Sequence, residues 1–402
     1  MAIETAVVLA AGEGTRLRPL TRNRPKPMLP AATKPILEHV FDQLLEAGIE
    51  RLVVVVGYGR NRVQSHFGPT YRNTPITYVT QESQLGTGHA LLTAESAVDG
   101  SFLAINGDQI ADDSIVRDVL ETHGDGSKAM PNDGPAATLA LLRRPADGEY
   151  GGAHVDDGRV TELEESPGDD RSYHLNAGIY ACEPAVFDAV REATSETGEH
   201  SLIDGLSRLV SSDDLVRGVV TEGTWVDATY PWDLLDVSFA LCDAGMLEAD
   251  PPAGDRSAAT IHDRAVVREP AVIDRDCVIG PGAVVGPYVC LGENATVGSN
   301  AVLERSVVDA DTTVADNATV VDCVTGTGVT IGAGSTVPGG PGDVRVGDRV
   351  FEDESLGALL ADRVTDHGGV AYVPGTIVGP DTELRTGATV RGTVPERTEV
   401  WP

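Results

Sequence analysis

Between Ile261 and Leu303 an aliphatic residue recurs at every sixth position: Ile261, Val267, Ile273, Ile279, Val285, Leu291, Val297 and Leu303. Glycine follows directly at Gly280, Gly286, Gly292 and Gly298. A helix repeats about every 3.6 residues and an alternating strand about every 2, so neither produces an unbroken period of six. The period is the mark of a parallel β-helix, where one aliphatic per short strand points into a prism-shaped core. The spacing resumes at Ile331 and Val337, then at Tyr372, Val378, Leu384 and Val390. It predicts that residues 338–371 leave the prism as a loop excursion. An all-β domain is therefore expected over 259–402, after a linker at 246–258 that contains Pro251, Pro252 and Gly254.

Residues 1–245 follow other periods. Ala6–Leu9, Leu52–Val56, Ile76–Val79, Phe102–Ile105 and Ala137–Leu142 are short apolar runs of the kind buried strands show. Between the first two, Pro35–Gly48 places Ile36, Leu37, Val40, Phe41, Leu44 and Leu45 on one helical face, with Pro35 suited to the first turn and Gly48 to the C′ position. Alternating strands and helices predict an α/β domain with a mostly parallel sheet.

The first strand runs into Leu9-Ala10-Ala11-Gly12-Glu13-Gly14-Thr15-Arg16, and Arg18, Arg22, Arg24 and Lys26 follow closely. Small residues let backbone N–H groups approach a ligand, and the cations suit a polyphosphate. Leu9, Ala10, Ala11, Gly12, Gly14 and Thr15 are the expected nucleotide cradle. A Walker loop would need Gly-Lys-Ser/Thr where Gly14-Thr15-Arg16 stands. A dinucleotide fingerprint would need a glycine at Leu17.

Composition sharpens this. The 402 residues carry a formal charge of −32, from 62 acidic and 30 basic side chains, and Lys26, Lys34 and Lys128 are the only lysines. Such a surface repels nucleic acid. It suits a cytosol of high salt, where self-repulsion is screened. A lysine kept at position 26 in a chain that avoids lysine points to a task for a compact ammonium. The five cysteines are scattered with no CxxC pair, which fits a reducing cytoplasm and argues against a zinc site. The start of the sequence reads as a strand rather than a signal peptide, and no run is long and apolar enough to span a membrane.

Asn106-Gly107-Asp108 closes the fourth apolar run. A carboxylate at the carboxyl end of a parallel strand stands in the usual ligand crevice of such sheets, and Mg²⁺ prefers a few carboxylates plus phosphate oxygens. Asp108 is the first expected metal ligand.

The run Gly12-Glu13-Gly14-Thr15-Arg16-Leu17-Arg18-Pro19-Leu20-Thr21 with Pro25-Lys26-Pro27-Met28 resembles the signature of the sugar-1-phosphate nucleotidyltransferases. The resemblance covers most of residues 5–235 and implies a Rossmann-like nucleotidyltransferase domain. Gln81, Gly86 and Thr87 fall where N-acetylglucosamine-1-phosphate uridyltransferases hold the base. Gly107, Gly151, Glu165 and Asn176 match the sugar-contacting positions, although Ser166 replaces a lysine that many relatives carry there. Asp227, in Thr224-Trp225-Val226-Asp227, resembles the second metal ligand. The resemblance implies in-line displacement at the α-phosphorus of the triphosphate by the sugar-phosphate oxygen. Arg16 then holds the pyrophosphate leaving group, Lys26 lies on the α-phosphoryl group, and Asp108 and Asp227 share Mg²⁺. Trp225 and Trp232 are expected to pack rather than to stack on a base.

The whole architecture resembles bifunctional enzymes that acetylate an amino-sugar phosphate and then uridylate it, built on left-handed β-helices that commonly form trimers. Acetyl transfer needs a general base. The repeat region has only His262 and His367 and no lysine; neither histidine lies in a His-Leu-Ser-Tyr-like context, and Gly332-Ala333-Gly334-Ser335 lacks the following asparagine. A structural, oligomer-forming β-helix is the favoured reading of this half. Three alternatives stay open: retained acetyl transfer, a thymidylyl, guanylyl or glucose-specific transferase, and a non-catalytic regulatory subunit. The last should lose Arg16, Lys26 or a metal carboxylate, and all remain.

Overall fold

The computed structural model of the chain describes residues 3–124, 134–145, 150–165, 173–193, 200–247 and 258–402. Two compact units make up the chain: Met1–Glu13 with Ile36–Val226, and Gly14–Pro35 with Asp227–Pro402. Most of the linker expected at 246–258 lies outside the described residues.

The first unit is built on a ten-stranded sheet. Its strands are β1 (Thr5–Ala10), β2 (Arg51–Val56), β3 (Thr70–Tyr71), β4 (Thr74–Thr80), β5 (Phe102–Asn106), β6 (Ala137–Pro145), β7 (Gly152–Asp156), β8 (Arg159–Glu164), β9 (His174–Cys182) and β10 (Val216–Thr221). They lie in the order β7-β8-β10-β6-β9-β5-β1-β2-β4-β3. All five expected runs form strands, each longer than its apolar stretch. Pairing is parallel through β5, β1, β2 and β4 and between β6 and β10, whereas β9 runs antiparallel to both β5 and β6. Ala10 pairs with Val56 and Val56 with Thr80, while Leu9 pairs with Asn106. The carboxyl ends of four strands therefore meet along one edge, the place where open α/β sheets take ligands.

Helix α1 (Ile36–Glu46) buries Ile36, Leu37, Val40, Phe41 and Leu44, as the apolar face predicts. It also buries Gln43, whose Oε1 accepts the Ala111 N–H at 2.8 Å and satisfies a backbone donor beside the ligand edge.

The second unit carries the repeat. Residues 260–400 wind into three parallel sheets of eight, seven and seven strands, a left-handed β-helix. Successive strands of one face, Ala271–Ile273, Val289–Leu291, Ser306–Val308 and Cys323–Thr325, pair in register through Ile273, Leu291, Val308 and Val307–Val324. The coil is thus 18 residues at first and 17 later, which explains the lost period after Leu303. The inward aliphatics form one buried column. Corner residues adopt left-handed conformation at Gly282, Asn300, Asn317 and Gly334, each a type that tolerates it.

Only residues 339–357 leave the prism, less than the 338–371 that the spacing predicts. They form a hairpin, Gly342–Val346 against Arg349–Glu354, and the coil resumes at Ala358–Leu360. The next inward position, paired with Leu384, is Asp366, which is why the period cannot be traced there. Its carboxylate is 2% exposed and accepts Ser335 Oγ at 3.0 Å, Gly368 N at 2.7 Å and Tyr372 Oη at 3.1 Å. A buried carboxylate needs such partners. Burial, and then the neighbouring carboxylate, push the Tyr372 phenol well up from its ordinary value.

Cys182, Cys277, Cys290 and Cys323 are buried and Cys242 half-buried, all as thiols. Among the described residues, no helix is long and apolar enough to cross a membrane.

Candidate active site

The first unit supplies the ligand edge. Gly107 donates its N–H to Leu9 O at 2.9 Å, and a Cβ on it would stand 2.9 Å from Ala10 Cβ. Only glycine lets the β5 end close on β1, and this places Asp108, half-buried, beyond the end of β1. Ala11 O accepts Gln84 Nε2 at 3.0 Å, so the first half of the small-residue run is braced by a side chain that sequence reasoning did not single out. Gly12 is exposed.

Gln81 is buried to 5% exposure and its Nε2 lies 3.1 Å from Gly86 O and 2.9 Å from His89 Nδ1. The amide thus ties the end of β4 to the start of α2 (Thr87–Ala94). Gly86 has φ +96° and a Cβ there would stand 2.5 Å from His200 O. Thr87 Oγ1 accepts the Leu202 N–H at 3.0 Å, joining α2 to α3 (Leu202–Ser211). Gln81, Gly86 and Thr87 are therefore brought together, with His89 as a member the sequence reading missed.

Three of the four expected sugar positions, Gly151, Glu165 and Asn176, gather around α3, whereas Gly107 stands apart from them against β1. Asn176 donates its N–H to Gly151 O at 2.9 Å, and a Cβ on Gly151 would stand 2.7 Å from Ile203 Cδ1. Both ends of the Asn176 amide are used: Nδ2 donates to Tyr180 Oη at 2.8 Å and Oδ1 accepts Gly178 N at 3.1 Å. Glu165 Oε2 accepts Ser201 Oγ at 2.5 Å, and Ser201 in turn caps α3 by accepting Ile203 N. Glu149, Ser166 and Pro167 lie outside the described residues.

The second unit holds the cationic loop, which closes on itself. Thr21 Oγ1 donates to Gly14 O at 2.8 Å. Gly14 has φ +68°, and a Cβ there would stand 2.7 Å from Lys26 Cβ. The glycine bend and the lysine are thus packed together, and the absence of a side chain at residue 14 is what permits it. Thr15 and Arg16 are exposed, with the Arg16 guanidinium 5.8 Å from the Tyr230 ring centre. Tyr230 stacks on Trp232 at 4.9 Å and 7°, and both rings meet Phe351 of the hairpin. Trp225 and Trp232 are buried packing residues, as expected. Beside the loop a cavity of about 740 Å³ is lined by Arg16, Arg18, Arg22 and Arg345, with Glu396. In a chain of charge −32 this is a concentration of positive potential that draws anions.

Lys26 Nζ and Asp227 Oδ1 form an ion pair in which the side chains are 12% and 6% exposed. Asp227 Oδ2 accepts Thr229 Oγ1 at 2.7 Å. A carboxylate oxygen can accept more than one bond, so an ion of hard-oxygen preference could join Asp227 while these partners orient it. Among the described residues, no three or more His, Cys, Asp or Glu side chains form a cage.

Arg24 reaches the coils of the prism. Its Nη1 lies 2.6 Å from Asp309 Oδ2 and its Nη2 3.2 Å from Asp362 Oδ1, with the arginine side chain 12% exposed. Burial lowers the guanidinium pKa, and the two carboxylates more than reverse this, leaving it raised. His262 Nδ1 accepts Arg264 N, and His367 Nε2 lies 3.6 Å from Glu383, so both histidines of the repeat are held by neighbours in the coils.

Residues 5–243 match the family model described as nucleotidyl transferase, and residues 267–395 match the GMPPB C-terminal domain. The bifunctional protein GlmU of Methanococcus maripaludis is 38% identical over 237 residues, 58% of this chain and 53% of that protein. The chain spans about half the length of the curated bifunctional relatives it matches. The UTP--glucose-1-phosphate uridylyltransferase AglF of Haloferax volcanii is 38% identical over 57% of this chain and 92% of that one. Among solved structures, a UDP-glucose pyrophosphorylase complexed with UDP-glucose shares the fold, with a TM-score of 0.53, 23% identity, and coverage of 59% of this chain and 98% of that one. With a model match that spans more than half of its length and the loop of Gly14, Arg16 and Lys26 in place, the chain belongs to the nucleotidyl transferase family.

Proposed function

We propose that the protein transfers a uridylyl group from UTP to N-acetylglucosamine 1-phosphate with Mg²⁺, releasing pyrophosphate. The observation that carries this reading is the closed cationic loop, where Gly14 is packed on Lys26 and Arg16 is exposed beside it, in a chain of this family. In this reading a sugar-phosphate oxygen forms a bond to the α-phosphorus while the bond from that phosphorus to the β-phosphate bridging oxygen breaks. Arg16 holds the departing pyrophosphate. Lys26 exchanges Asp227 for the α-phosphoryl oxygens. Backbone N–H groups of the small-residue run hold the triphosphate, and Gln81, Gly86 and Thr87 meet the base. Gly107, Gly151, Glu165 and Asn176 orient the sugar. Asp108 and Asp227 are the proposed carboxylate ligands of Mg²⁺, which when bound neutralises phosphate charge. Little covalent work falls to the protein, so positioned charge does most of the catalysis.

The uracil assignment is supported by the Haloferax relative, a UTP--glucose-1-phosphate uridylyltransferase, which also favours a second acceptor, glucose 1-phosphate. The β-helix is the proposed surface of homo-oligomerisation, with a trimer expected in sedimentation. Pyrophosphate release across UTP, dTTP and GTP, each with N-acetylglucosamine, glucose and mannose 1-phosphates in concentrated KCl, tests the reading. Fastest turnover with UTP and N-acetylglucosamine 1-phosphate is expected. Fastest turnover with GTP or dTTP overturns the base, and no turnover with any pair overturns the catalytic reading.

A further inference from the structure

Residues Gly14–Pro35 group with the β-helix rather than with the strands that precede and follow them in sequence. We propose that the β-helix sets the position of Arg16 and Lys26, with Arg24 and Phe351 as the positioning residues. This rests on the catalytic roles given to Arg16 and Lys26 above.

Arg24 carries the first anchor. Its planar fork meets two carboxylates from different coils, Asp309 and Asp362. Neither carboxylate swings freely. Thr327 Oγ1 donates to Asp309 Oδ2 at 3.1 Å, and Thr327 N donates to Asp362 Oδ1 at 3.1 Å. Asn23 Nδ2 adds a bond to Asp362 Oδ2 at 3.3 Å. Two directed contacts on a rigid, mutually braced pair fix a guanidinium in orientation as well as in place. A buried ion pair adds little net stability, so the use of this one lies in where it holds the loop.

Only Pro25 separates this anchor from Lys26. Pro25, Lys26, Pro27 and Met28 make one short 3₁₀ turn closed by Met28 N to Pro25 O at 2.9 Å and Leu29 N to Lys26 O at 3.0 Å. Two prolines leave this stretch few ways to absorb a shift. A displacement at Arg24 is therefore passed to Lys26, and through the Gly14–Lys26 contact to the glycine bend.

Phe351 carries the second anchor, from the hairpin that interrupts the coils. It lies 4.7 Å from Tyr230 and 5.1 Å from Trp232, centre to centre. Tyr230 is the shelf for the Arg16 guanidinium. The hairpin that interrupts the coils thus supports the aromatic stack under the other catalytic cation.

The experiment compares wild type with Arg24→Ala, Arg24→Lys and Phe351→Ala in the full-length chain. It measures kcat, KM for each substrate, melting temperature, and hydrogen exchange over residues 15–29. Misplacing a cation by about an ångström costs catalysis more than binding, so Arg24→Ala should lower kcat about 10- to 100-fold. KM for the sugar 1-phosphate should stay within about twofold. Exchange over 15–29 should quicken, and Arg24→Lys, which keeps charge but not the fork, should restore part of kcat. Phe351→Ala should lower kcat by a smaller factor.

Unchanged kcat per folded molecule in Arg24→Ala, with or without a lower melting temperature, overturns the proposal. So does unchanged exchange over 15–29. If wild type turns over no substrate pair, the functional reading fails by itself. The exchange comparison then still decides whether the β-helix holds this loop.

Discussion

Lys26 Nζ lies 3.1 Å from Asp227 Oδ1, so the lysine expected on the α-phosphoryl group and the acid expected on the metal are partners. Each orients the other where little water reaches. Lys26→Ala should strand a carboxylate that is 6% exposed. The expected stability loss is about 1–3 kcal/mol, together with a fall in kcat of about 10²- to 10³-fold. Chemical denaturation and steady-state kinetics check both, and an unaltered kcat removes Lys26 from the catalytic set.

Gly14→Ala should be damaging out of proportion to one methyl group. The new Cβ would stand 2.7 Å from Lys26 Cβ, on a backbone with φ +68°. Strain of this kind costs about 1–3 kcal/mol. It would fall on the loop, so turnover should drop more than the melting temperature does. A fully active variant would show that the bend relaxes without moving Lys26.

Asp108→Asn should abolish Mg²⁺-dependent turnover while leaving the melting temperature near wild type, because the substitution removes the charge but keeps the size of a half-buried side chain. Titrating Mg²⁺ against rate distinguishes the outcomes. A normal rate with a normal Mg²⁺ requirement removes Asp108 from the metal site.

Asp233, at the start of helix α4 (Asp233–Ala244), gives a pH signature. Burial pushes its carboxyl up to about 6 from 3.8, opposed by the Tyr230 and Thr229 N–H groups and reinforced by Asp227 and Asp236. The folded chain therefore holds this proton more tightly than the unfolded one. The stability it contributes is complete below about 4 and is lost as pH rises through about 6. The loss is up to about 3 kcal/mol. Asp233→Asn should flatten the stability profile between pH 4 and 7, read by urea denaturation at fixed salt, and an unflattened profile refutes the assignment.

A net charge of −32 should make stability rise with salt. Melting temperature is expected to climb as KCl goes from dilute to molar, since screening relieves acidic self-repulsion. Greatest stability in dilute buffer would overturn this.

The prism was legible because its inward positions repeat, and one aliphatic per strand is enough to show the period. It was illegible where a polar side chain took an inward place and closed its hydrogen bonds locally, as Asp366 does with Ser335 and Tyr372. The cradle could be read because glycine and cations crowd one short stretch. The braces could not. Arg24 looks like one more cation of that stretch, and Asp362, its partner, stands 338 residues further along the chain. Gln84, His89 and Ser201 act through side-chain hydrogen bonds that leave no pattern in sequence.

The grouping of Gly14–Pro35 with the coils also bears on protein engineering. A chimaera spliced once, near residue 245, would inherit a cradle whose supports stayed behind in the discarded donor. Transplanting the nucleotide-handling half onto another scaffold requires carrying Asp309, Asp362 and the Phe351 hairpin with it, or redesigning Arg24 for its new neighbours. The natural unit of exchange in this molecule is not a contiguous stretch of gene.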